Sequence, residues 1–266
     1  ELYNDARHLL VAELAASRDV PAGQVYAAGL IFARIGALLM LLPGFGEQMV
    51  PPRIRLSFAL LFSLMVYPLL ARGGPAIPES LGGVAGAVIK EVLIGLMFGA
   101  ILRLFLSSLA TAGEIISIQT TLSFAQTANP AQATPSTTVA TFLGLMGVVL
   151  IMTTDLHHLF LAAMVRSYAL FPIRGDLPVA DAGAMAVRTV GGSFALGLQL
   201  SAPVVVFSLV VNVATGLVGR VMPQFQVFFV ATPVFVLTGL SVFALSLGVI
   251  GMVWVDRYRD LINSFS

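Results

Sequence analysis

Long apolar runs, separated by short polar breaks, dominate the pattern of the chain. A membrane-spanning helix needs about 20 mostly apolar residues. Runs of about that length or longer cover residues 22–42, 54–70, 84–116, 138–171, 192–219 and 225–255. They predict about six long apolar helices, some of them broken or re-entrant. The run 84–116 would be about 50 Å long as one helix and exceeds the ~30 Å hydrocarbon core, so we expect it to tilt, break or protrude.

Three other segments do not fit the pattern of a span. Residues 1–20 mix charges of both signs with leucine and valine, which predicts a short amphipathic helix. Residues 117–137 are uncharged and rich in small hydroxyl and amide side chains, so we expect irregular polar backbone held between helices. Residues 172–191 contain proline, glycine and charges of both signs, which predicts a soluble connection. Together, residues 1–266 are expected to form a single all-α membrane domain.

Composition favours a protein embedded in lipid or in a large apolar assembly. The chain is 58% hydrophobic and 10% charged, with a mean hydropathy of +0.97. A soluble domain carries about 45–50% apolar and about 25% charged residues. The net charge is +1 without a polybasic run, so we expect no nucleic-acid partner. The absence of cysteine excludes disulfides and thiolate metal sites.

Sequence motifs of common enzymes are missing, so we expect neither an enzyme nor a cofactor. Lys90 follows Val-Ile rather than the glycine-rich turn of a phosphate loop, and no HExxH pattern occurs. Asp155, His157 and His158 are potential metal ligands. Adjacent histidines on a helix point about 100° apart, which favours a histidine pair at a helix end over a shared metal ion.

Five charged residues lie within apolar surroundings: Arg34, Lys90, Glu91, Arg103 and Glu114. An unpaired charge at membrane depth costs several kcal/mol. None of the five has an opposite charge three or four residues away on its own helix. We therefore expect them to be buried at contacts with other helices or other subunits. The alternative is a proton or ion pathway, although such a relay usually contains more aligned carboxylates.

Two pairs of residues predict how the helices are placed. Gly95 and Gly99 are one turn apart, so they share a helix face and allow a neighbouring helix to approach closely. Because GxxxG is common in apolar helices, it indicates tight association and nothing more specific. Trp254 and Tyr258 lie near the end of the last run, where interfacial aromatic anchors are typical.

Five sets of residues, in chain order, resemble the R-subunit family of the bacterial flagellar protein-export gate. The virulence relative of that family is the T subunit of type III injectisomes. The matching residues are 42–46 with 50–55, 90–96 with 112–116, 122–125 with 129–130, 155–159 with 167–168 and 171–172, and 212–217 with 220 and 223–224. Thr121 and Leu156 depart from the pattern, because members of the family commonly have glycine at both positions.

The resemblance implies a structural subunit of the flagellar basal body in the bacterial inner membrane. Such a subunit assembles helically with the P and Q gate subunits, and also contacts the B subunit. The assembly forms a closed channel for unfolded flagellar proteins, and its energy comes from a separate ATPase and the proton-motive force.

On this resemblance, the polar stretch 117–137 faces the channel lumen, where irregular backbone is tolerated. The residues expected to form a plug in the lumen are Gln119, Thr120, Thr121, Leu122, Ser123, Phe124 and Ala125. Phe124 would supply the one bulky apolar group of this plug. The alternative is an ordinary packed connection between two helices.

Two other functions compete with the flagellar gate. An injectisome T subunit would belong to the same kind of machine with different cargo. A secondary transporter of a small solute would use Arg34, Glu91 and Glu114 at its site, but transporters often show inverted repeats. The only internal similarity in this chain joins residues 202–206 and 232–236, in its last two apolar runs. Proteins that co-purify after mild detergent extraction would discriminate among these functions.

Overall fold

Seven helices make up nearly all of the chain that the computed structural model describes, which is residues 22–46, 50–70, 77–123, 137–173, 179–221 and 227–263. They are α1 (Ala22–Leu41), α2 (Pro52–Leu70), α3 (Leu81–Gln119), α4 (Thr138–Thr153), α5 (Leu156–Leu170), α6 (Val179–Val221) and α7 (Val227–Asn263). These described residues contain no strand, which confirms the all-α prediction. The amphipathic helix predicted for residues 1–20 lies outside them.

Five helices, α1, α2, α3, α6 and α7, are long and apolar enough to cross a membrane. If helices α4 and α5 form one span, they are the sixth. That span is broken, because the chain bends by 77° between the two helices. At the bend, Asp155 adopts a left-handed φ of +58°, a conformation that aspartate tolerates better than most residues. The left-handed position is thus Asp155. The next residue, Leu156, begins α5 and is fully buried.

Two predicted boundaries differ from the structure. Helix α6 begins at Val179, so the second half of the connection predicted for 172–191 is helical. Alanine occupies positions 180, 182, 184 and 186, and its high helix propensity explains this extension. Helix α3 likewise continues through residues 117–119 of the predicted polar stretch.

Helix α3 is the centre of the bundle and packs along α1, α4 and α6. It is unbroken over 39 residues, or roughly 58 Å, and so extends well beyond the ~30 Å core. Its two predicted glycines face α1. A β-carbon at Gly95 would overlap the carbonyl oxygen of Arg34, and one at Gly99 would lie 2.9 Å from that of Leu38. The close helix contact predicted from the GxxxG pattern is therefore confirmed.

Two buried aromatic side chains of α7, Trp254 and Tyr258, bond to α3. Trp254 donates a 3.1 Å hydrogen bond from Nε1 to Ser108 Oγ, and Tyr258 donates one of 2.9 Å to the carbonyl of Leu102. Both rings are fully buried, so their prediction as interfacial anchors is wrong. A buried tryptophan or tyrosine needs a partner for its polar atom, and α3 supplies both acceptors.

We expect Gly95→Ala to destabilise the protein by about 1–3 kcal/mol, because the added methyl group would meet the α1 backbone. Gly86→Ala is the matched control on the same helix, since nothing lies within 4 Å of a β-carbon there. The control should be neutral or stabilising by up to about 1 kcal/mol. Apparent melting temperatures in detergent measure both. Equal melting temperatures for the two variants would contradict the close contact.

Candidate functional site

The described part of the predicted plug is a turn at the end of α3. The helix ends at Gln119, and the backbone N–H of Thr120 donates to the carbonyl of Ile116 at 2.9 Å. The Thr120 hydroxyl donates to the same carbonyl at 2.8 Å. The turn continues through Ser123, whose N–H donates to the Ser117 carbonyl at 3.2 Å. Phe124 and Ala125 lie outside the described residues.

Thr121 holds a strained position in this turn. Its φ of +59° is left-handed, and the residue just after a helix C-cap commonly adopts this conformation with glycine. A β-branched side chain makes the conformation costly, by about 1–2 kcal/mol. The Thr121 hydroxyl oxygen is also buried without a hydrogen-bond partner. The turn therefore keeps a backbone suited to glycine although threonine occupies the position.

Helices α6 and α7 hold the beginning of the turn. The side-chain carbonyl of Gln119 accepts a 2.8 Å hydrogen bond from the hydroxyl of Ser208. Asn212 donates in turn to Ser208 Oγ at 3.2 Å. On α7, a β-carbon at Gly239 would lie 2.7 Å from the Thr120 methyl group. The start of the stretch is thus fixed by one polar contact and one close packing contact.

Glu114 holds the other end of the same stretch. Its Oε1 accepts a 2.8 Å hydrogen bond from the backbone N–H of Thr137. Thr137 is the N-cap of α4 and accepts from the N–H of Ala140 through its hydroxyl, at 3.2 Å. Beside this contact, a β-carbon at Gly113 would overlap the backbone of Ala140. Both ends of the stretch 120–136 are therefore attached to the last two turns of α3.

A buried ion pair joins α1 to α3. Arg34 Nε lies 2.6 Å from Glu91 Oε2, and the two side chains are 1% and 0% exposed. Glu91 precedes Gly95 and Gly99 by one and two helical turns, so all three residues lie on the face of α3 that meets α1. The close approach at the glycines brings the guanidinium and the carboxylate together.

Arg34 also attaches the end of α5 to this pair. It donates to the carbonyls of Ser167 at 3.2 Å and Phe171 at 2.8 Å, and its guanidinium lies 4.0 Å from the ring centroid of Tyr168. Lys90 donates to the carbonyl of Ile173 at 2.6 Å. The C-terminal end of a helix carries partial negative charge, so two cations are favourable at the carbonyls there and just beyond it.

The five embedded charges thus occupy different environments. Arg34 and Glu91 pair with each other, while Lys90 and Glu114 bond to backbone groups. Arg103 is exposed, and no salt bridge joins it to any of the described residues. It is therefore not buried within this chain. Its burial at a contact with another subunit stays a prediction.

The Asp155, His157 and His158 group lies at the start of α5. The possible ligand atoms lie within 4.8 Å of one another, and His158 Nδ1 is 3.6 Å from Asp155 Oδ1. The two imidazole centroids are 4.1 Å apart with a 37° tilt. Ligand atoms on one zinc ion are about 3.4 Å apart, given bonds of about 2.0–2.1 Å in a tetrahedral site. His158 and Asp155 thus contact each other at the start of a helix, and the preference for a histidine pair at a helix end over a metal site stays a prediction.

Sequence reasoning missed three residues that hold these contacts. Thr137 carried a readable signal, because threonine directly before an apolar run is a typical N-cap. Tyr168 belongs to a set of residues that resembles the family, but neither it nor Ser208 carried a signal for its contact, since each contacts a residue on a distant helix. Backbone carbonyl acceptors, such as that of Phe171, cannot be recognised from side-chain identity.

Comparison with known proteins gives one consistent result. Residues 25–261 match the family model described as bacterial export proteins, family 1. The flagellar biosynthetic protein FliR of Caulobacter vibrioides is 62% identical over 91% of this chain and 97% of that protein. The FliR proteins of Pectobacterium carotovorum and Escherichia coli K12 are 30% and 27% identical, over 82% and 86% of this chain and 83% and 87% of their own lengths.

We expect Arg34→Ala to destabilise the protein by about 3–5 kcal/mol, because it leaves Glu91 buried without a cation. The double variant Arg34→Met with Glu91→Leu should regain much of this loss, since no charge remains unpaired. Arg166→Ala, at an exposed arginine of α5, is the control and should change little. Detergent melting temperatures report all three. If Arg34→Ala matched the control, the buried pair would not be important for stability.

A glycine at position 121 should stabilise the turn by about 1 kcal/mol, because it removes the strain of a left-handed threonine. Thr121→Ala is the matched variant. Both changes remove the unpaired hydroxyl, but alanine retains a β-carbon. The difference in melting temperature between the two variants therefore reports the backbone strain. The same melting assay applies. A Thr121→Gly protein no more stable than Thr121→Ala would show that the turn is not strained.

Proposed function

Because the chain belongs to the bacterial export proteins of family 1, together with flagellar biosynthetic proteins FliR, we propose that it is a structural subunit of the flagellar type III export gate. In this proposal it lies in the bacterial inner membrane at the flagellar basal body. It assembles with the P and Q subunits, and contacts the B subunit, to form the closed channel for unfolded flagellar proteins. The observation that carries the proposal is 62% identity to a flagellar relative over 91% of the chain.

The surface of the isolated chain supports membership of an assembly within the membrane. Large apolar side chains are exposed on several helices, including Leu81 (86%) on α3, Val221 (80%) on α6 and Leu245 (85%) on α7. Apolar surface of this extent requires lipid or protein to cover it. Helices that pack mainly against other subunits would meet this need.

The attachment of stretch 120–136 supports its assignment as the channel plug. At its start Gln119 bonds to Ser208 of α6, and just after its end Thr137 bonds to Glu114 of α3. A segment held at both ends can extend between them without losing its place in the bundle. Because the stretch is uncharged, it can contact varied unfolded cargo without electrostatic preference. Its hydroxyl and amide side chains can form hydrogen bonds with the N–H and C=O groups of an irregular backbone in a wet lumen.

The transporter alternative has little support from the site. Its candidate residues Arg34 and Glu91 are buried and paired, and Glu114 is bonded to the start of α4. None of them lines the groove between α3 and α4 or the groove that α3, α6 and α7 form. The named relatives are flagellar rather than injectisome proteins, which favours the flagellar gate over the T subunit.

Removing residues 122–125 should open the channel without preventing assembly. This deletion removes Phe124 but keeps Gln119, Thr120 and Glu114, which hold the ends of the stretch. We expect normal yield of the complex with the P and Q subunits, together with raised membrane conductance to small ions. The measurements are co-purification in mild detergent and conductance of membranes that contain the complex.

The matched variant for this test is Gln119→Ala with Ser208→Ala, which weakens the attachment and leaves residues 122–125 in place. It should leak less than the deletion. An intact complex without leakage after the deletion would refute the plug. Loss of the complex would show instead that the stretch is a packed connection. Failure of the unchanged chain to co-purify with P and Q would refute the export-gate assignment itself.

A further inference from the structure

A groove of about 530 Å³ runs between α3 and α4 on the surface of the chain. One wall carries Arg103, Ser107 and Ala110 of α3, and the other carries Gly144 and Val148 of α4. The turn between α1 and α2 closes one end at Gly44, where a β-carbon would lie 2.6 Å from the end of the Met152 side chain. The groove is therefore mainly apolar, with a single cationic group.

We propose that this groove binds an apolar helix of a partner gate subunit, and that a carboxylate on that helix pairs with Arg103. The proposal rests on the export-gate function above, and it adds the binding surface and the chemistry of the occupant. Neither the family membership nor the contacts within this chain assign a role to Arg103.

The charge of Arg103 indicates an anionic occupant. The other embedded cations, Arg34 and Lys90, bond to groups within the chain. Arg103 instead lines the groove and forms no salt bridge with the described residues. An arginine at membrane depth is costly unless it pairs or reaches water. A carboxylate is the natural partner because it accepts two parallel hydrogen bonds from the guanidinium.

The position of Arg103 along α3 favours a helix over a lipid headgroup. Arg103 is about 33 Å from the start of the helix and about 24 Å from its end. A ~30 Å hydrocarbon core centred on α3 would place it roughly 10 Å inside the nearer edge. A lipid phosphate stays at the interface, whereas a side chain on a membrane helix can be placed at any depth.

The walls of the groove also suit a helix. Small side chains let the backbones of membrane helices approach closely, and Ser107, Ala110 and Gly144 supply them on both walls. No described residue lies within 4 Å of a β-carbon at Gly144, so the described part of the chain leaves space beside α4. This distinguishes Gly144 from Gly95 and Gly113, whose faces are already occupied by α1 and α4.

Charge reversal tests the pairing. The tagged chain is co-expressed with the P and Q subunits, and the yield of the complex is measured for Arg103→Glu, Arg103→Lys and the control Arg259→Glu. Arg259 is an exposed arginine near the end of α7. We expect at least a tenfold loss for Arg103→Glu, a much smaller loss for Arg103→Lys and no change for the control. The amount of each variant in the membrane shows whether the chain itself still folds.

Two further measurements identify the occupant. Leu145, a large exposed side chain that also lines the groove, is replaced by the photo-reactive p-benzoylphenylalanine, which should cross-link to a P or Q subunit within the assembled complex. In Arg103→Glu cells, suppressors that restore the complex should replace an aspartate or glutamate of that subunit with lysine or arginine. Because the cross-linking variant keeps Arg103, its result does not depend on the Arg103 variants folding.

The outcomes separate this proposal from the export-gate function. A normal complex with Arg103→Glu, or cross-links from position 145 to lipid alone, would overturn the groove while leaving the gate assignment intact. Absence of any complex with the unchanged chain would overturn both. Cross-links to a gate subunit, together with the charge-dependent loss of yield, would support the groove as the docking surface.

Discussion

The contact between Arg34 and Glu91 determines how α1, α3 and α5 are arranged. The two side chains are buried on different helices, and burying either charge without the other would cost several kcal/mol. Gly95 and Gly99 let α1 and α3 approach closely enough for the pair to form. The remaining donors of Arg34 then bond to carbonyls at the end of α5. One side chain thus binds one oxygen of a carboxylate and a helix terminus at once, while Oε1 of Glu91 is buried without a partner among the described residues.

The long central helix connects this pair to the candidate plug. Glu91 lies near the first third of α3, while Glu114 and Gln119 lie in its last two turns. Helix α3 is unbroken between them and packs along three neighbours, so it forms a rigid support for the stretch that begins and ends on it.

The sequence was sufficient to predict the helical class, the approximate number of spans and the close helix contact at Gly95. It also indicated that the embedded charges need partners. It could not identify those partners, because Arg34 and Glu91 are 57 residues apart and hydrophobic periodicity does not order helices in space. Trp254 shows a different limit, since an amphipathic aromatic ring suits either an interface or a core that offers an acceptor. Residues 124–136 lie outside the described chain, so the centre of the plug remains a sequence-based expectation.

The buried pair also has a consequence for biosynthesis. Arg34 is made before Glu91, and its carbonyl partners at positions 167 and 171 are made later still. A lone arginine at the centre of an inserting helix costs about 2.5–3.5 kcal/mol at the translocon. Helix α1 therefore gains its full stability only after α3 has been synthesised, and the two should enter the bilayer as a unit. The end of α5 packs against them last, because its carbonyls at positions 167 and 171 are synthesised after both helices.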